Sequence, residues 1–171
     1  SLGTLSACIV SGSWNSTVRV WKNWECVATL AGHSHSVWSV LPIDEDRILS
    51  ASADKTVCLW SISSPKEPLY VFEGATQAVR DIARVSDTAF VSAGNDGQLR
   101  LYPIHGGAPY KTFASLPAFV YALAPLADGF VSSGEDRCVR VWAHDALTQL
   151  VPVPALSVWC VCTLSNGDMA C

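Results

Sequence analysis

Charge is scarce in this sequence: Asp, Glu, Lys and Arg make up 15% of its 171 residues, against 50% hydrophobic ones. So apolar a chain has enough surface to bury and is globular rather than disordered, and at this length it is one domain. The eleven Lys and Arg residues are scattered singly and the formal net charge is −4, which argues against a nucleic-acid footprint. No apolar run approaches the ~18 residues of a membrane span, and the N-terminus lacks a signal-peptide pattern. There is no C-x-x-C and no G-x-S-x-G, so neither a paired-thiol motif nor a nucleophile elbow is present.

The seven cysteines are odd in number, and the chain is too large to need staples. Cys8, Cys58, Cys138, Cys160 and Cys162 fall in β-patterned runs and are expected to be reduced, buried core thiols. Cys160 and Cys162 would project to one face of a strand, but two ligands do not make a zinc site. No metal and no cofactor is expected, and the expected location is the cytoplasm, with the nucleus as a second compartment.

What the sequence does have is repetition. "SGSWNSTVRVW" at 11–21 returns as "SASADKTVCLW" at 50–60, "SAGNDGQLRLY" at 92–102 and "SSGEDRCVRVW" at 132–142, the closing aromatics spaced by 39, 42 and 40 residues. The unit at 33–73 reads as "SVWSV", the acidic turn "DEDR", "ILSAS", a turn at Ala53–Lys55, "TVCLW", the breaker "SSPKEP" and "LYVFE". Four short β-favouring runs joined by turn residues form a meander. Asp-Gly at 128–129 and Asn-Gly at 166–167 are hairpin-turn chemistry. A single four-stranded sheet cannot bury both faces, so tandem copies must stack. The expected fold is all-β: a β-propeller arc of about four four-stranded blades out of seven. Residues 1–31 are expected as blade remnants, 32–73, 74–113 and 114–151 as full blades, and 152–171 as the start of another. A β-sandwich also has many short strands but needs no forty-residue period.

Gly32-His33, Asp54 and Trp60 resemble the GH pair, turn Asp and closing aromatic of a WD-repeat. That resemblance implies a hydrogen-bonded structural network of His33, Ser50 or Ser52, Asp54 and Trp60. The same Ser, His and Asp suggest a hydrolase triad on paper, but Ser50 lies in a strand with no strained turn to present it. Where His33 stands, the later copies have Ala75, Leu116 and Pro154, Asn15 replaces a turn Asp and Tyr102 a Trp. Only one blade is therefore expected to make the full network, the others relying on apolar packing.

The segments "SGSW", "VRVWKN", "GHSHSVWSV", "SADKTVCLW" and above all "PALSVWCVCTLSNGD" at 154–168 resemble the propeller of the phospholipase A-2-activating protein family and its fungal ubiquitin-homeostasis relatives. The resemblance implies a non-catalytic module binding ubiquitin or ubiquitinated proteins. In that family an AAA-type segregase is recruited through further domains that are absent from this chain. Neither nucleic acid nor membrane is an implied partner. The WD-repeat pattern also implies a partner-binding rim at Trp14, Trp38, Arg80, Asn95, Phe119, Tyr121, Glu135 and Trp159, with Ser36, Ala53, Ala78 and Ser157 in the remaining positions. Trp38, Arg80, Tyr121 and Trp159 fill one slot in successive copies, and aromatic and Arg side chains are the usual anchors of interfaces. A generic scaffold binding another peptide at the same rim is the alternative.

Overall fold

The computed structural model describes residues 2–4, 8–113, 115–144, 146–164 and 168–171. Strands β1 (Leu2–Thr4), β2 (Ile9–Gly12), β3 (Thr17–Lys22) and β4 (Glu25–Ala31) form one antiparallel sheet in sequence order. The second sheet repeats this with β5 (Val37–Pro42), β6 (Arg47–Ser52), β7 (Val57–Ser61) and β8 (Tyr70–Phe72). The third has β9 (Val79–Arg84), β10 (Ala89–Gly94), β11 (Arg100–Pro103) and β12 (Lys111–Thr112). The fourth has β13 (Val120–Leu126), β14 (Gly129–Gly134), β15 (Cys138–Ala143) and β16 (Ala146–Pro152), and a short pair follows, β17 (Cys162–Thr163) with β18 (Met169–Ala170). The fold is thus an all-β propeller arc of four four-stranded sheets and a fragment. The first strands β1, β5, β9, β13 and β17 neighbour one another in succession, so the sheets radiate from them.

One expectation is corrected at the start. Residues 1–31 were expected to be only a blade remnant, but a complete sheet forms because Leu2, Gly3 and Thr4 pair with Ser11, Val10 and Ile9. Three residues are too few to show an alternating pattern. Gly3 is needed there: a Cβ would stand 2.6 Å from Cδ of Pro42 on the next sheet. The Asn-Gly turn at 166–167 lies outside the described residues.

The turn joining the second and third strands is built the same way in every sheet. Ser16, Lys55, Gly97 and Arg137 all take positive φ, at 70°, 76°, 68° and 63°. One residue earlier stands Asn15, Asp54, Asp96 or Asp136, whose Oδ1 accepts the backbone N–H of Thr17, Thr56, Gln98 or Cys138 at 3.0–3.3 Å. The short acid or amide thus closes an Asx turn in each blade, which is why it recurs.

Between successive sheets lie separate apolar layers. Val10, Val18, Val20 and Leu30 meet Ile48, Cys58 and Trp60; Leu49, Val57, Leu59 and Phe72 meet Phe90 and Tyr102. Leu99, Leu101 and Phe113 meet Phe130 and Trp142, and Val131 and Val139 meet Val158 and Val161 before the last pair. Burying each such side chain is worth about 1.5–3 kcal/mol, so stacking, not the isolated sheet, carries the stability.

The cysteine expectation fails in part. All seven are free thiols, but only Cys58 is buried; Cys8 and Cys138 are half-buried, and Cys160 and Cys162 are exposed. The β-pattern around 160–162 does not form one strand, since β17 begins at Cys162.

Candidate functional site

The structural network of the second sheet assembles as the residue pattern implies. His33 Nδ1 lies 2.7 Å from Asp54 Oδ2 and His33 Nε2 lies 2.7 Å from Ser50 Oγ, which also accepts the Trp60 indole N–H at 2.7 Å. The consistent assignment has Trp60 donating to Ser50, Ser50 to His33 Nε2, and Nδ1–H to Asp54. Burial alone would raise the Asp54 pKa. Hydrogen bonds from the His33 Nδ1–H, the Thr56 hydroxyl and the Ser34 N–H outweigh it and hold the carboxyl far below the usual range. The arrangement mimics a Ser-His-Asp triad, but Ser50 is 0% exposed and its oxygen is taken by an indole, so no substrate reaches it.

The other sheets do not fall back on apolar packing alone, contrary to expectation. The Trp–Ser bond persists as Trp21 Nε1–H to Ser11 Oγ at 2.9 Å and Trp142 Nε1–H to Ser132 Oγ at 2.8 Å. Arg100 Nη2 is 2.8 Å from Asp96, and Arg140 forks onto Asp136 through both Nη atoms. Burial would raise the Asp96 pKa, but Arg100 and the N–H groups of Thr76 and Gln98 hold it down. An Arg four residues after the turn acid, aligned with Cys58, thus pairs with the carboxylate where no His is available. The recurring Arg at this position was the signal, and the sequence reading missed it.

At the strand ends beside these turns lies the rim. In β5 the register passes from Val37 to Ser39 and skips Trp38; in β9 it skips Arg80 and in β13 it skips Tyr121. Each is the extra residue of a β-bulge, a device that re-aims a side chain away from the ladder. The re-aimed side chains meet across the blades. The Arg80 guanidinium sits 4.1 Å from the Trp38 ring centroid and 5.4 Å from that of Tyr121. Tyr121 stacks on Trp159 at 4.4 Å with the planes 1° apart, and Phe119 meets Tyr121 edge-on at 6.5 Å. Asn95 Oδ1 accepts the Arg80 Nε–H at 2.7 Å. Six of the eight expected rim residues therefore form one connected surface spanning three sheets and the following segment.

The remaining two sit less centrally. Glu135 is exposed and joins Phe119 through its backbone N–H at 3.0 Å; its side chain shares with Asn95, Asp96, Gln77 and Phe119 a cavity of about 270 Å³. Trp14 is 85% exposed and makes no ring contact among the described residues, though its carbonyl accepts the Ser36 hydroxyl at 3.2 Å. Sequence reasoning also passed over Asp81, beside Arg80. Its Oδ2 accepts the Leu123 N–H at 2.7 Å, tying β9 to β13, and burial pushes its carboxyl up despite the Ser39, Leu123 and Ile82 hydrogen bonds. Among the described residues no group of three His, Cys, Asp or Glu is placed to hold a metal ion.

The "WD domain, G-beta repeat" family model matches residues 3–22, 24–61 and 66–102. The chain is 34% identical to "Ubiquitin homeostasis protein lub1" of Schizosaccharomyces pombe over 97% of its own length and 23% of that protein. It is 29% identical to "Ubiquitin fusion degradation protein 3 homolog" of Caenorhabditis elegans over 95% of its length and 21% of that protein. Superposed on the crystal structure of the WD40 beta propeller domain of Doa1 it gives a TM-score of 0.90 at 38% identity, covering 98% of this chain and 58% of that one. It thus spans less than a quarter of these curated relatives' length.

Proposed function

The chain belongs to the WD domain, G-beta repeat family, and from that premise we propose that it is a non-catalytic ubiquitin-binding propeller module. It would serve ubiquitin homeostasis and ubiquitin-dependent protein degradation beside an AAA-type segregase, in the cytoplasm and the nucleus. The observation that carries the reading is the connected rim of Trp38, Arg80, Tyr121 and Trp159, with Phe119 at its edge. Trp159 leaves 66% of its surface to solvent and the other members are half-buried, so the rim offers rigid aromatic area at small entropic cost. The ubiquitin-related names of similar proteins support the choice of partner. A single small interface of this kind fits a Kd of tens to hundreds of micromolar, about −5 to −6 kcal/mol.

The test is titration of isotope-labelled ubiquitin with the protein and with a Trp38→Ala/Tyr121→Ala variant. Shifts confined to one apolar patch of ubiquitin, and lost with the folded variant, are expected. Shifts that survive in the variant would move the site off this rim. Their absence at millimolar protein would leave the second reading, a scaffold binding a different peptide through the same aromatics.

A further inference from the structure

Arg80 differs from the arginines around it. Arg47, Arg84, Arg100 and Arg140 each pair with a carboxylate, whereas Arg80 has none within ion-pair distance among the described residues. It is instead held by two aromatic faces and an amide: Trp38 at 4.1 Å, Tyr121 at 5.4 Å, and Asn95 Oδ1 on its Nε–H. The neighbouring carboxylate of Asp81 is turned to the backbone N–H groups of Leu123 and Ile82. Among the described residues neither Nη atom has a protein partner, and neither is sealed from solvent, the buried unpartnered side-chain atoms there being Arg19 Nε and Ser133 Oγ.

A guanidinium whose central carbon lies over two aromatic rings is poorly hydrated on those sides, so its remaining N–H groups become the preferred place for an acceptor. With Nε committed to Asn95, what remains is the end-on Nη1/Nη2 edge, whose two parallel donors match the two oxygens of a carboxylate. The two ring contacts and the Asn95 hydrogen bond hold the fork before the ligand arrives, so little freedom is lost on binding. We propose that Arg80 is the anion receptor at the centre of the rim and takes a carboxylate, from an Asp or Glu side chain or a chain terminus, of the protein docked there. This rests on the rim being the docking face. One guanidinium suits a monoanion better than a phosphate dianion.

The test follows the Arg80 side-chain nitrogen resonances in labelled protein. The probes are N-acetyl-aspartate amide, N-acetyl-asparagine amide and methyl phosphate at up to about 200 mM, and separately ubiquitin. The expected result is a saturable Arg80 Nη shift with the aspartate probe and none with the asparagine probe, accompanied by shifts of the adjacent Trp38 and Tyr121 ring signals that are lost in Arg80→Lys, which keeps the charge but not the fork. A larger saturable response to methyl phosphate than to aspartate overturns the carboxylate assignment, as does no response to either anion. The docking reading stands or falls separately. Ubiquitin moving the Trp38 and Tyr121 signals while no anion moves Arg80 leaves the rim and removes the receptor. An aspartate response with ubiquitin silent does the reverse.

Discussion

Arg100 reaches back four residues to place its Nη2 2.8 Å from the carboxylate of Asp96, both side chains less than 10% exposed. In the preceding sheet the aligned position is Cys58, whose sulfur lies 3.8 Å from His33 Nδ1. The two blades thus solve one problem in two ways. The turn acid is fixed by its Asx bond to the backbone two residues on, which leaves its second oxygen facing the blade interior. That oxygen needs a donor, supplied from outside the hairpin by His33 or from within it by Arg100 and Arg140. The first sheet has Asn15 at the turn, and its Arg19 keeps a buried Nε–H with no partner among the described residues.

Removing Asp96 should therefore cost more than removing Arg100. Asp96→Ala strands a buried guanidinium and opens the turn, and a loss of about 3–5 kcal/mol is expected. Arg100→Met leaves the carboxylate still bonded to the Thr76 and Gln98 N–H groups, so about 1–3 kcal/mol is expected. Urea midpoints of the two variants decide it; equal losses would mean the pair is not the blade's internal support.

Acid stability follows from the same carboxylates. Asp54 and Asp96 have folded pKa values below their unfolded ones. Their contribution is fully present above the unfolded value, near 3.8, and is lost as pH falls through the folded value. Asp81 is raised, so its sign is opposite: it favours the protonated native state, and that contribution fades as pH rises through its folded value. Asp54→Asn should be clearly destabilised at pH 7, with the gap to the parent protein closing as pH drops below about 4. Urea unfolding between pH 3 and 7 measures it, and a gap that stays constant would refute the linkage.

The period, the four-strand unit and the His33 network were legible because each is local or recurs at fixed spacing. The slot shared by Trp38, Arg80, Tyr121 and Trp159 was legible for the same reason. That these side chains touch was not, because contact depends on three bulges and on how blades stack, neither of which leaves a mark within one repeat. The Arg-for-His exchange was on view in "VRVW", "LRLY" and "VRVW" beside "VCLW", but the motif drew attention to the missing His. Cys160 and Cys162 misled because an apolar run predicts burial only where a partner sheet covers it.

Thiol reactivity separates the cysteines. Cys58 is buried beside Asp54, and burial pushes its thiol up to about 12, so the nucleophilic thiolate is nearly absent at pH 8. Cys26, Cys160, Cys162 and Cys171 are exposed and should react with a chromogenic disulfide within minutes, while Cys58 reacts only on unfolding. Mass mapping of labelled peptides reads this directly. Labelling of Cys58 in the native protein at the rate of Cys26 would show that the second sheet opens.

The rim depends on a glycine that no rim residue reveals. Gly134 pairs with Val120 immediately before the register skips Tyr121, and a Cβ on it would lie 2.1 Å from the Phe119 carbonyl oxygen. That oxygen already accepts the Glu135 N–H, so it cannot simply turn aside. Gly134→Ala must part β13 from β14 at the bulge, at a cost of about 1–3 kcal/mol. It should also disturb the stack of Tyr121 on Trp159, changing the near-ultraviolet circular dichroism and weakening whatever binds there. The adjacent Ser133 is the control. Its hydroxyl is buried without a partner among the described residues, so Ser133→Ala removes an unsatisfied group and should be neutral or stabilising by up to about 1 kcal/mol, with the stack signal intact. If both variants left the aromatic signal unchanged, the bulge would not be what aims Tyr121 at Trp159, and the tie would lie in the Asp81 carboxylate that holds Leu123 two residues further along β13.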